Sequence, residues 1–170
     1  MAFIEKLQEY LKKEGYLPEL TEFGLQFKSE NLDFLSFKDD QDELFLNLFF
    51  PQIFEVTQEN HQDVLVAIDR ANSEVKVAKG SVRFGNAVWV GVEMLLSENF
   101  DLNDIVPRSI NMMKYYRDIF YQAFSETPSG KLAIEAAQKQ QAGKYSTLDC
   151  KTNCSENIPA KYPFCTVHSV

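Results

Sequence analysis

All three cysteines and one of the two histidines fall in the last 21 residues, spaced C-x3-C-x10-C-x2-H: Cys150, Cys154, Cys165 and His168. Three thiolates and an imidazole could complete a tetrahedral Cys3His zinc site. The spacing fits poorly, because structural zinc knuckles favour C-x2-C and here Pro159 and Pro163 stiffen the connecting loop. A disulfide within the trio is the competing chemistry. A polar extension with free thiols is the plainer reading, so no metal is assigned.

Other reactive constellations are sparse. His61 lies between Asn60 and Gln62, near Glu59 and Asp63, where a solvated histidine is expected rather than a general base held by a partner in a cleft. Asp39, Asp40, Asp42 and Glu43 crowd one turn but lack the spacing and glycine of an EF-hand loop. Gly-x-Ser-x-Gly, P-loop and G-x-G-x-x-G signatures are absent from the sequence. The chain therefore reads as non-enzymatic and without a cofactor.

The elements that would position any site follow from periodicity. Phe3, Ile4, Leu7, Tyr10 and Leu11 predict a helix over 2–14, stopped by Gly15. The period then changes to two. Phe23–Phe27, Leu32–Phe37 and Glu43–Phe50 predict a three-stranded meander, ended by Pro51. A second helix is expected from Thr57, its N-cap, with the stripe Val64, Leu65, Ile68 and Ala71. Strands Glu74–Phe84 and Ala87–Leu96 follow, joined at Gly85-Asn86. Pro107 should open a helix running to about Phe124, and Lys131–Gln141 a short one. The order α-β(3)-α-β(2)-α, with strands grouped in hairpins, predicts an α+β fold: one antiparallel sheet with helices packed on it.

Residues 1–124 form the expected domain and 125–170 a C-terminal extension holding the short helix and the cysteine-bearing tail. The domain carries 12 Lys+Arg against 21 Asp+Glu, a net of −9, and the extension 5 against 4, a net of +1; together they give the −8 of the chain. Such acidity repels phosphate backbones, so no nucleic-acid partner is expected. Neither a secretory signal nor an apolar run of about 20 residues is visible, so no membrane contact and a cytoplasmic location are expected.

Two patterns point to protein contacts. In the third strand Leu44, Leu46, Leu48 and Phe50 face one way, while Phe45 and Phe49 flank Asn47 on the other. A sheet with one wet face should alternate more cleanly, so something must cover the second face. A second copy of the chain, a client or the tail could do it, as could the chain's own helices. If Gly85-Asn86 is a two-residue turn, Gly80 faces Gly91 and Val82 faces Trp89, with Lys79 and Arg83 on the opposite side. Bare backbone beside the single Trp then makes a notch for a partner. Phe45, Phe49, Trp89, Gly80 and Gly91 are thus the candidate partner-binding residues, for a protein or peptide partner and for a homodimer. The alternative function is a small-molecule, metal or redox sensor that uses the Cys/His tail.

The segments Tyr10–Leu20 (YLKKEGYLPEL), Ile53–Val56, Asn72–Ala78 and Asp104–Pro107, in this element order, resemble the YbjN-type family of bacterial domains, which carry the provisional label of sensory transduction regulators. The resemblance covers about residues 1–124. It implies the fold of type III secretion chaperones, small acidic proteins that dimerise and hold partner chains. It carries over no catalytic residue.

Overall fold

A computed structural model describes residues 3–145, other than positions 40 and 43. The elements are α1 (Phe3–Lys13), β1 (Glu19–Leu20), β2 (Gly24–Ser29), β3 (Leu32–Phe37), β4 (Phe45–Glu55), α2 (His61–Glu74), β5 (Lys79–Arg83), β6 (Ala87–Leu95), α3 (Leu102–Glu126) and α4 (Pro128–Tyr145). The strands form one antiparallel sheet in the order β1-β2-β3-β4-β6-β5. This is the expected α+β architecture, with a short extra strand at one edge.

Apolar spacing explains which face of each helix is buried. Phe3, Ile4, Leu7 and Leu11 of α1, Val64, Ala67, Ile68 and Ala71 of α2, and Met113, Tyr116, Phe120 and Phe124 of α3 pack against Leu25, Phe27, Phe34, Leu46, Leu48, Val88, Val90 and Val92. These strand residues alternate along β2, β3, β4 and β6, so they occupy one side of the sheet. Among the described residues no helix contributes to the buried cluster on the other side, which is Phe49, Ala87 and Trp89 with Leu35 and Phe37. β3 and β4 are apolar on both faces, as expected. Among the described residues, the second face is not covered by helices.

Several boundaries differ from expectation, each for a local reason. Pro51 does not end β4; the strand continues to Glu55 through a register shift between Phe50 and Phe54, where the missing amide donor is tolerated. The N-cap of α2 is Asn60 rather than Thr57, although their side chains and amides bond reciprocally: Thr57 N–H to Asn60 Oδ1 at 2.8 Å and Asn60 N–H to Thr57 Oγ1 at 3.3 Å. Asp101 caps α3 by accepting from the Asn103 N–H at 2.9 Å, so Pro107 lies inside the helix rather than at its start. The boundary drawn at 124 falls in the last turn of α3, and α4 is longer than expected at both ends. Asp63 of α2 accepts the Ser129 N–H at 2.8 Å and so caps α4 from a neighbouring helix.

Candidate functional site

The helix-free face of the sheet is assembled by β3, β4, β6 and β5. Phe45 pairs with Leu95, Asn47 with Glu93 and Phe49 with Gly91 across β4 and β6, and all six side-chain positions point this way. The Phe49 ring packs against Gly91: a Cβ built on that glycine would sit 2.5 Å from the ring. The Arg83 guanidinium lies over the ring, 4.3 Å from its centroid. Phe37 closes the cluster, 5.4 Å from Phe49 and stacked on Trp89 at 6.4 Å. Phe49 is therefore 2% exposed and Trp89 7% exposed without help from any helix.

A buried amide fixes Phe37 in place. Asn47 Oδ1 accepts the Phe37 N–H at 2.6 Å, and Asn47 Nδ2 donates to the Phe37 carbonyl at 3.0 Å. The side chain thus supplies the rung that the β3–β4 ladder lacks at this point, which accounts for a polar residue between two Phe on an apolar strand. Two polar atoms of the region, Ser36 Oγ and Trp89 Nε1, are buried with no hydrogen-bond partner among the described residues.

Three corrections concern the second hairpin. Its turn has three residues, Phe84-Gly85-Asn86, and the register is Lys79 to Gly91, Gly80 to Val90 and Ser81 to Trp89. Because side chains alternate, that one-residue slip moves each β5 residue to the opposite side from the one expected. Gly80 and Gly91 are not opposed. Gly80 points at the helices, where an added Cβ would meet the Tyr116 hydroxyl at 2.3 Å, and Gly91 points at Phe49. Arg83 and Trp89 share a face rather than dividing between two. There is no glycine notch.

Phe49 and Trp89 are likewise floor rather than exposed anchors, and Phe45 is half-buried beside them. The exposed apolar groups here are ones that sequence reasoning missed: Phe84, 79% exposed with its ring 5.2 Å from Trp89, and Leu95, 78% exposed at the far end of β6. Phe84 also holds a left-handed backbone (φ 53°) that a bulky side chain rarely adopts. The available signal was its place beside Gly85 at a hairpin tip. On the same face, towards the β2 edge, an open groove of about 570 Å3 is lined by Phe23, Gly24, Gln26, Leu35, Ser36 and Phe37, among others, with Phe23 69% exposed on its rim.

The two sheet edges differ. At β5, the Asn72 side chain of α2 bonds both backbone groups of Gly80, accepting its N–H at 2.9 Å and donating to its carbonyl at 3.2 Å. At the other edge β1 pairs only Glu19 and Leu20 with β2.

Chemistry-bearing groups do not converge on this face. His61 is exposed at the start of α2. Asp39 and Asp42 are spent on their own turn, accepting the amides of Gln41, Asp42 and Leu44. Tyr116, whose hydroxyl burial pushes well above the ordinary tyrosine range, donates to the Ile68 carbonyl inside the helical layer. No group of three or more His, Cys, Asp or Glu placed to hold a metal occurs among the described residues. Cys150, Cys154, Cys165 and His168 lie outside those residues. No described helix is long and apolar enough to cross a membrane.

Comparison with known proteins adds a likeness of fold. No family model matches the chain and no curated protein matches it. Among solved structures, the crystal structure of YbjN from E. coli, provisionally described as a transcription regulator, superposes with a TM-score of 0.54 at 10% identity. The match covers 71% of this chain and 90% of that one. The α+β fold expected from the resemblance is thus the fold of YbjN; at this identity the likeness concerns fold alone.

Proposed function

We propose that this chain is a non-enzymatic protein-interaction module with a regulatory role, and that its contact surface is the helix-free face of the sheet. One observation carries the reading: a face over which no described helix lies bears an aromatic floor, two apolar side chains exposed by more than three quarters and an open apolar groove. Exposed apolar side chains beside an open apolar groove mark interaction sites in folded proteins. The provisional regulator description belongs to YbjN, and it points in the same direction. The acidity of the chain directs the reading to a protein partner rather than to nucleic acid.

The test is capture from native lysate by immobilised full-length chain, comparing Leu95→Glu on the face with Leu132→Glu on α4, both at exposed leucines. Specific proteins should be retained by the unsubstituted chain and by Leu132→Glu, and lost from Leu95→Glu. Equal retention by all three would remove the helix-free face as the contact surface.

A further inference from the structure

We infer that the groove beside Phe23 seats this chain's own C-terminal segment, residues 158–168, which covers that part of the helix-free face and has to leave before another protein uses it; the inference rests on the reading of that face as the contact surface.

The groove sets the chemistry of its occupant. Phe23, Leu35 and Phe37 give it apolar walls, and Glu22 and Gln26 a polar border. Its volume of about 570 Å3 falls within the range of about 300–1,000 Å3 that compact ligands fill. Gln26 donates to Glu19 at 2.8 Å, so two carboxylates, Glu19 and Glu22, stand at this edge. No cation is among the described residues that line the groove. An apolar segment that carries a cation and no carboxylate is the complement.

The chain contains such a segment. Beyond Tyr145, the end of α4, it has 25 further residues, 146–170. Within them residues 158–168 read IPAKYPFCTVH: Ile158, Tyr162, Phe164 and Val167 are apolar, Lys161 is the cation, and Asp and Glu are absent. Residues 1–124, with 12 Lys+Arg against 21 Asp+Glu, attract a run of this charge. Pro159 and Pro163 hold their own φ near −65° and so reduce the entropy lost on docking, as when proline-bearing peptides enter aromatic grooves.

The tether is long enough. At about 3.3 Å per residue the connection formed by residues 146–157 spans up to about 40 Å. A folded domain of this size, with a radius of gyration of about 14 Å, is roughly 35 Å across. The segment therefore reaches from the helical layer to the far side of the sheet. Tethering also holds it at a local concentration on the order of millimolar, so a contact too weak to join separate molecules is occupied within one chain.

The chain supplies its own probes, because Trp89 is its single tryptophan and its cysteines all lie beyond α4. Trp89 stacks on Phe37, a wall of the groove, at 6.4 Å. With Cys150→Ser and Cys165→Ser in place, a fluorescence acceptor on Cys154 should take energy from Trp89 in the full-length chain. Transfer should fall on Phe164→Glu in the segment and on Phe23→Glu at the exposed rim, with circular dichroism unchanged, and should hold on Leu132→Glu. A synthetic peptide of residues 158–168 should bind the Phe164→Glu chain about tenfold more tightly than the unsubstituted chain, because the resident segment no longer competes. Transfer untouched by both variants, or equal peptide affinity for the two chains, would overturn the inference. Transfer that rises with protein concentration would also overturn it, by seating the segment on a second copy. The two readings fail separately. Unchanged transfer, with captured proteins lost on Leu95→Glu, removes only the resident segment. Transfer lost in both variants, with no other protein ever retained, removes only the external partner.

Discussion

The Phe49 ring occupies the space that a side chain at position 91 would fill, with an added Cβ 2.5 Å from the ring. Gly91→Ala should consequently force the ring off Gly91 and out from under Arg83. Overpacking of this kind costs about 1–3 kcal/mol. Chemical denaturation monitored at Trp89, 6.4 Å from the Phe49 ring, reads both the loss of stability and the disturbed aromatic cluster. An unchanged midpoint would mean that the ring has another place to go.

Phe84→Asn should separate stability from partner capture. Relief of the left-handed strain contributes about 1 kcal/mol, offset in part by loss of the exposed edge contact with Trp89. The melting temperature should hold or rise slightly. A sharp fall would show that Phe84 is a folding residue.

Asn47→Ala removes both bonds to the Phe37 backbone and leaves a donor and an acceptor without partners. A loss of roughly 2–4 kcal/mol follows from the desolvation of the two abandoned groups. Hydrogen exchange should show the Phe37 amide newly labile, and full protection there would contradict the rung assigned to Asn47.

The Asp63–Ser129 link predicts an acid-sensitive α4. The Ser129 hydroxyl and backbone N–H hold the Asp63 carboxyl below its usual range. A carboxyl with a lowered folded-state pKa contributes stability above its unfolded value, about 3.9, and loses it as pH falls through the lower folded value. Exchange at the first turn of α4 should therefore accelerate below about pH 4, while the α2–α3 core stays protected. Asp63→Asn should show the faster exchange already at neutral pH. Identical exchange in the variant would place the hold on α4 elsewhere, for instance in Thr127, whose Oγ1 accepts the Gly130 N–H at 3.2 Å.

Much of this fold was legible because period and position coincide. Phe3, Ile4, Leu7 and Leu11 spell a helix, and Leu46, Leu48 and Phe50 spell a buried strand face without reference to anything distant. The double-sided greasiness of β4 was equally plain. Its interpretation depended on one count, the length of the turn after Arg83. With three residues instead of two, Gly80, Arg83 and Trp89 exchange partners and faces, and local composition at Phe84-Gly85-Asn86 does not decide between the two. Nor could sequence show that Phe49, Trp89 and Arg83 would cover one another. That depends on Gly91 being opposite Phe49, a contact between residues 42 positions apart. Pro51 misled for a related reason: a bulge can carry a proline through a strand, and only the partner strand reveals the bulge.

Asn72 has one more effect. Endless filaments of sheet proteins grow by stitching one rim to the opposite rim of the next molecule, and that requires two receptive rims. With the amide of Asn72 holding both backbone groups of Gly80, one rim offers few free bonds to an incoming strand. Rim-to-rim chains should then stop after a single addition, which leaves closed, countable assemblies as the ones this molecule can build.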